Sequence, residues 1–423
     1  MSSPAISTQH ACYQATSLSI ESVAKNSKLI AWETQPSLFK KYPQHLFRYA
    51  WKDKEVLKII QNARKITSKM DVVGSPYYRL NSPSAGNLQP LELYVQIRGI
   101  KGILSGIYHV DVESETLVLL LDIETDGLET YVGMKHRFSG MIFILSTVYF
   151  RSYWKYGLRA LRYIYLDAGH QIAALQASIA LEDKKATVMS GFDVRGLNHF
   201  MGFEKQERVV AVLSVGTEKQ RIANPMTESL MTVQPTDYCS QNISLQTWIE
   251  EAKVYEDKDA NRFASCDKKV LETFINYRRS AREFTNKHLA DCHHKALIDS
   301  FRIAPSSLNI SYALFDFKGE DVSLYDIENI YTTPYKRSNA QELVNVLLNQ
   351  VIVASSSIII FISSDDFNEQ VLMQAGKFGH QLYLDAFSLG LGCSGIGAFY
   401  DNDLNTIIEE EYILYACVIG AVV

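Results

Sequence analysis

Apolar residues along this chain fall into two kinds of run. Short runs rich in β-branched and aromatic residues, at 91–97, 141–149, 209–215 and 358–363, predict strands. Longer apolar stretches around 168–181, 268–275 and 382–389 predict helices. The most apolar run, 351–362, carries Ser355, Ser356 and Ser357, is too short to span a bilayer, and predicts a buried strand. Helical patches alternate with strand runs throughout. The pattern is α+β, a central sheet with helices packed around it.

The same order of features occurs twice. Ala168-Gly169-His170-Gln171 is echoed by Phe378-Gly379-His380-Gln381, each within a helical stretch. Ser190-Gly191-Phe192-Asp193 answers to Ser394-Gly395-Ile396-Gly397-Ala398-Phe399, and the β-rich runs 208–216 and 412–420 close the two copies. Upstream, Pro83-Ser84-Ala85-Gly86-Asn87 is echoed by Pro305-Ser306-Ser307-Leu308-Asn309. Such ordered self-similarity predicts two related domains. Residues 1–217 form the first with an N-terminal extension, 218–265 a connector containing Pro225 and Pro235, and 266–423 the second. If the ancestral domain worked as a two-fold dimer with sites at its interface, the fusion is an intrachain pseudo-dimer whose two sites are free to diverge.

Composition narrows the class. The 423 residues are 47% hydrophobic and 21% charged, which argues for a folded chain. Lys and Arg number 42 against 47 Asp and Glu, a net charge of −5, so nothing draws the chain as a whole to nucleic acid or anionic lipid. Residues 1–14 lack a basic segment followed by an apolar core, so no signal peptide is expected. The six cysteines show no CxxC spacing; neither a disulfide framework nor a metal site is indicated, and a reducing cytoplasm fits.

Four segments carry candidate chemistry. In Tyr277-Arg278-Arg279-Ser280-Ala281-Arg282-Glu283-Phe284, three guanidiniums and a hydroxyl make a forked donor set suited to a phosphate; the bland alternative is a solvated charged turn. In Pro83-Ser84-Ala85-Gly86-Asn87-Leu88-Gln89-Pro90, small residues let backbone approach a flat ligand, and Asn87 and Gln89 can hydrogen-bond a ring edge; the alternative is a polar turn that opens a strand. Lys155 and Tyr156, in an aromatic and basic stretch from Arg151 to Arg162, could move protons if burial or neighbouring cations lower both pKa values; the alternative is an amphipathic helix start. Gly390-Leu391-Gly392-Cys393-Ser394-Gly395 matches G-x-G-x-x-G, but it follows a helix and not a strand, so it predicts a helix stop and a glycine-rich turn presenting N–H groups. His170 and His380 are expected to be packed structural residues, and the cluster His288, Cys292, His293 and His294 to be surface.

Together these residues resemble the FMN-dependent nitroreductase superfamily, and more narrowly the SagB/ThcOx-type oxidoreductases that include the azoline dehydrogenases of thiazole and oxazole peptide biosynthesis. The resemblance covers nearly the whole chain, including residues 12–17 and 32–42. It implies two tandem nitroreductase-like domains, each a mostly antiparallel sheet flanked by helices. It also implies FMN bound through Arg278, Arg279, Ser280 and Arg282 at the phosphate, through Pro83, Ser84, Ala85, Asn87 and Gln89 at the flavin edge, and through Ser394, Gly395, Ile396 and Gly397 facing N5. Lys155 and Tyr156 match the pair associated with azoline oxidation. The better-preserved pieces lie in opposite copies, so one composite FMN site per chain is expected. Residues 62–69 and 181–185 suggest that the reciprocal site is worn. The implied partners are a small-molecule or peptide substrate, with NAD(P)H as a candidate reductant, and no nucleic acid or membrane; the chain would be a monomeric pseudo-dimer or a homodimer. The rival readings are an NAD(P)H-dependent nitro or quinone reductase and a degenerate, flavin-free binding subunit.

Overall fold

A computed structural model describes residues 4–26, 30–52, 54–72, 75–226, 228–240, 242–257, 262–285, 287–316, 320–327 and 334–423; the first three residues of the N-terminal run lie outside it. Contacts divide the chain into two units, Ala31–Tyr277 and the chain up to Ile30 together with Arg278–Val423.

The unit Ala31–Tyr277 contains β1 (Arg48–Ala50), β2 (Ile66–Val72), β3 (Ser75–Leu80), β4 (Leu91–Arg98), β5 (Gly106–Asp111), β6 (Thr116–Asp122), β7 (His136–Val148), β8 (Thr187–Val188) and β9 (Glu207–Ile222). Seven of these form an antiparallel sheet ordered β1-β6-β5-β4-β7-β9-β8, and β2 and β3 make a separate hairpin. The other unit contains β10 (Asn309–Phe315), β11 (Asp321–Asp326), β12 (Lys336–Asn339), β13 (Ile358–Ser364), β14 (Gly392–Ile396) and β15 (Tyr412–Gly420), ordered β12-β11-β10-β13-β15-β14. Apart from β1, the two sheets share one strand order, as the sequence echoes predict.

The central strands are buried along their whole length. All seven residues of β13 and all nine of β15 are inaccessible, which is why they read as unbroken apolar runs without alternation. The helix Ala160–Leu181 is buried all round from Ala160 to Ala180, and it packs against the helix Lys268–Tyr277 of the same unit. Where β7 and β9 cross closely, Gly140 lies opposite Gly216; a Cβ on Gly140 would come within 2.1 Å of the Val215 carbonyl oxygen. Only glycine fits there.

Residues 351–362 are not one strand. Val351–Ala354 is a helical turn with Val351 exposed, and β13 begins at Ile358. The serines make the break. Ser355 Oγ donates to the Val351 carbonyl (3.2 Å) and Ser356 Oγ to the Val353 carbonyl (2.8 Å), which closes the turn; Ser357 N–H then donates to Ile419 and opens the ladder.

The contact units divide the chain differently from the sequence boundaries. Residues 218–277 pack with the first sheet: β9 continues to Ile222, Leu245 and Ile249 are buried, and Tyr255 N–H donates to Val210 (2.7 Å). The N-terminal helix Pro4–Thr16 belongs with the other unit. Tyr13 packs edge-on against Phe367 and Tyr412 at 5.0 and 4.8 Å, and Leu18 N–H donates to Asp401 (2.7 Å).

Beneath the first sheet lies a buried polar network. Arg151 donates to Glu92 (2.7 Å) and to the carbonyls of Ser37 (2.9 Å), Gln89 (2.9 Å) and Pro235 (3.0 Å). Burial alone would raise the Glu92 pKa, but Arg151, His109 and Arg64 pull it well below the carboxylate range. Glu92 also accepts the Lys40 N–H, and Lys40 pairs with buried Glu207 at 2.8 Å, which in turn accepts from Tyr94 and Ser146.

Replacing Arg151 by Met strands the Glu92 charge, and the expected cost is about 3–5 kcal/mol in denaturant unfolding. Adding Glu92→Gln should recover most of it; a single mutant as stable as the parent would contradict the role of the pair. Tyr13→Ala should speed amide exchange of β15 while leaving β4 unchanged, as read by mass spectrometry; acceleration of β4 instead would reassign the N-terminal helix.

Candidate functional site

In the first unit the turn before β4 is bent by three left-handed residues, Gly86 (φ 59°), Asn87 (φ 58°) and Gln89 (φ 50°). Two of them are not glycine, so the bend stores strain that its surroundings must hold. Asn87 Nδ2 donates to the Tyr78 carbonyl (2.6 Å), and Gln89 Nε2 donates to Asn87 Oδ1 (3.0 Å). Gln89 N–H donates to Ser84 Oγ (3.1 Å), while Arg151 holds its carbonyl. This corrects the expectation that Asn87 and Gln89 offer their amides to a ring edge: Gln89 is buried and both side chains brace the turn. The accessible face belongs to Pro83, Ser84, Ala85 and exposed Gly86.

The helix Phe150–Tyr156 ends at Gly157 (φ 54°) and delivers Lys155 and Tyr156 to that face. A Cβ on Gly86 would lie 2.4 Å from Tyr156 Oη and 3.2 Å from Lys155 Nζ, so glycine lets both tips reach the turn. Lys155 Nζ stands 4.9 Å over the ring of Trp32 and 5.2 Å over that of Tyr156, whose ring meets Tyr163 edge-on at 4.7 Å. Only one of the pair shifts as the sequence predicts. Burial, with Tyr163 and Asp167 nearby, pushes the Tyr156 pKa far up, so its phenol keeps its proton. Burial lowers that of Lys155. The two shifts run in opposite directions, towards the neutral amine for Lys155 and towards the protonated phenol for Tyr156.

Behind the turn lies a residue that the motif reading passed over. Asp167, in the helix Ala160–Leu181, accepts from Ser84 Oγ (2.6 Å) and Ala85 N–H (3.1 Å). Its sequence signal was the one carboxylate in a mostly apolar helix.

In the second unit, Arg278 is buried, with its guanidinium 5.3 Å over the ring of Tyr383. Arg279 and Arg282 are exposed, and among the described residues no carboxylate pairs with either. Two uncommitted guanidiniums beside a hydroxyl are a donor set that fits a phosphate dianion. Ser280 Oγ lies 2.8 Å from Tyr383 Oη, which also accepts the Gly395 N–H at 2.9 Å. Ala281 N–H donates to the Cys393 carbonyl (2.9 Å). The structure thus brings together two segments the sequence singled out, 278–282 and 394–397, through a tyrosine it did not.

Residues 392–396 form an edge strand, not the glycine-rich turn expected. Gly390 (φ 69°) provides the helix stop, after which the chain pairs with β15. The Gly395 N–H is committed to Tyr383, and a Cβ there would fall 1.7 Å from Tyr415 Oη. Ser394 and Ile396 are buried; Gly397, just beyond the strand, is partly exposed.

The matching places in the first unit are reduced. Its counterpart of β14, the strand β8, has two residues against five. Arg64, in the segment corresponding to the arginine motif, is turned inward 5.9 Å from the ring of Phe39, and burial draws its pKa down to about 10. His170 and His380 are both buried, as expected of structural residues, and burial with Arg278 nearby lowers the His380 pKa to about 3. Cys292 and His288 are exposed, but His293 and His294 are partly buried, and His294 meets Tyr312 edge-on. No helix among the described residues is long and apolar enough to cross a membrane.

Comparison with known proteins gives three findings. A Methanocaldococcus jannaschii protein named as a nitroreductase is 33% identical over 91 residues, 21% of this chain and 46% of its own length. The chain thus spans less than half of that relative. The crystal structure of an Anabaena variabilis protein described as a nitroreductase aligns over 98% of this chain and 99% of its own, at 21% identity and TM-score 0.78. This shows a common fold. The nitroreductase family model matches residues 52–217 and 275–421, the greater part of the chain, in one segment per sheet. The chain belongs to the nitroreductase family.

Proposed function

We propose that this chain is an FMN-dependent oxidoreductase of the SagB/ThcOx-type, transferring hydride through flavin N5 and acting on an azoline-type or related small-molecule or peptide substrate. Family membership supports an oxidoreductase. The observation that carries the narrower reading is the pair at the Gly86 turn, a lysine with a depressed pKa beside a phenol that stays protonated.

FMN, when bound, supplies a hydride acceptor or donor at N5. Arg279 and Arg282 hold its phosphate, with Ser280 as the neutral donor beside them. Arg278 is not a phosphate ligand in this reading; buried against Tyr383, it fixes the tyrosine that joins Ser280 to the Gly395 strand. Pro83, Ser84 and Ala85 offer a low face for a planar ring, and Gly397 a backbone group. The proposal keeps the sequence expectation of one FMN per chain. Lys155 takes the proton that leaves the substrate, and Tyr156 donates a hydrogen bond that orients it.

The purified protein should be yellow, with one FMN released per chain; a colourless protein, or two FMN per chain, contradicts the proposal. Lys155→Ala should lower kcat about 100-fold or more with FMN content unchanged, as expected for loss of a general base. Arg282→Ala should instead weaken FMN retention by about tenfold or more, through loss of a charge-assisted contact. Turnover with oxygen alone supports a dehydrogenase; turnover that needs NAD(P)H assigns the chain to the nitro or quinone reductases.

A further inference from the structure

Asp167 is buried, and among the described residues no ion pair to it is found. Its hydrogen bonds come from two neutral donors, Ser84 Oγ at 2.6 Å and Ala85 N–H at 3.1 Å, and both belong to the strained turn. Ser84 Oγ also receives the Gln89 N–H at 3.1 Å, so one carboxyl secures both ends of the left-handed run at 86, 87 and 89. On the other side of that run, Tyr156 Oη and Lys155 Nζ press against Gly86. Movement of Ser84 or Ala85 is therefore transmitted directly to the tips of the pair.

We propose that Asp167 is a positioning residue: as a neutral carboxyl it holds the 83–89 turn closed against Lys155 and Tyr156, and as a carboxylate it lets the turn open to water. The functional meaning of that closure rests on the reading of the turn as part of the redox site. The physical cause does not. Two neutral donors offset only part of the cost of burying a charge. Burial accordingly pushes the Asp167 pKa up to about 7, against the lowering effect of Ser84 and Ala85. A pKa raised above the solvent-exposed value of 3.8 means that the closed form is favoured at low pH and loses its advantage as pH rises through about 7.

The groups facing this assembly are Lys155 and Tyr156 from the helix Phe150–Tyr156, Tyr163 from the helix that carries Asp167, and Tyr77 from β3. Tyr156 stays neutral across this range. Lys155 is the group whose titration has to be separated from that of Asp167.

Amide exchange of the full-length chain, read by mass spectrometry at about pH 6 and about pH 8.5 and corrected for intrinsic rates, separates them. In the parent protein, protection of residues 84–89 should be about tenfold lower at about pH 8.5 than at about pH 6, the loss being complete just above about 7 and level beyond it, with β13 and β15 unchanged. Asp167→Asn, a neutral side chain whose oxygen accepts from Ala85 N–H while its amide donates to Ser84 Oγ, should abolish the difference and keep the turn protected at both pH values. Lys155→Met should preserve it. Equal protection of the parent turn at the two pH values overturns the proposal, as does a pH effect that survives in Asp167→Asn or vanishes in Lys155→Met. If Asp167→Asn does not fold, the parent and Lys155→Met decide alone. Exchange needs neither flavin nor substrate, so an inactive or colourless protein defeats the flavoenzyme reading and leaves this test standing. In active protein, kcat/KM of the parent should fall as pH rises through about 7 and that of Asp167→Asn should not.

Discussion

The turn that carries Pro83 to Gln89 hangs on the buried contact between Arg151 and Glu92. A desolvated ion pair is seldom a source of net stability, because the cost of removing two charges from water is comparable to their attraction. What such a pair does supply is direction. The Arg151 guanidinium has five donors in a rigid plane, and its contacts draw on four separate segments: Ser37 ahead of the sheet, Gln89 in the turn, Glu92 in β4 and Pro235 well downstream. Any one of them shifted by an ångström leaves a polar group unpaired in the core, which costs more than the pair gains. The left-handed bend at 86–89 persists because it is over-determined from beneath by Arg151 and from behind by Asp167.

The two units show how one topology accommodates different chemistry. Six strands follow the same order in each sheet, so the shared part is the layer that must be close-packed. Differences concentrate where the sheet ends. Between the arginine-motif segment and the proline turn, the first unit has the β2–β3 hairpin, while the second has the helix Asp291–Phe301. A five-residue edge strand tied to Tyr383 in one unit is a two-residue strand in the other. Edge strands and connections tolerate such change because few core contacts depend on them.

Much of this was legible in the sequence, and the failures have a common cause. Strands β4, β13 and β15 could be read because burial on both faces leaves an unbroken apolar signature, and the Gly86 turn and the Lys155–Tyr156 pair could be read from residue type. The termination of the 351–362 run at three serines turned on hydroxyl-to-carbonyl bonds that hydropathy does not register. Asn87 and Gln89 were read as outward donors because sequence gives no sign of φ, and it is the positive φ that turns their amides inward. Tyr383 and Asp167 lie on helices, and their partners Ser280 and Ala85 are 103 and 82 residues away, so no spacing rule could reveal those links. Tyr156 was expected to have a lowered pKa, but burial, with Tyr163 and Asp167 nearby, raises it.

The unit that carries Arg279 and Arg282 is assembled from both ends of the chain, and that imposes an order of events during synthesis. The unit Ala31–Tyr277 is continuous in sequence and has all its strands once residue 277 has emerged. The helix Pro4–Thr16 is made long before Phe367 and Tyr412, against which its Tyr13 packs, and the Tyr13 hydroxyl waits for Asn405, a separation of 392 residues. Contacts of such high order are slow to form and leave their surfaces exposed in the interval. The nascent chain therefore carries one completed sheet while Tyr13 still waits for its partners near β15.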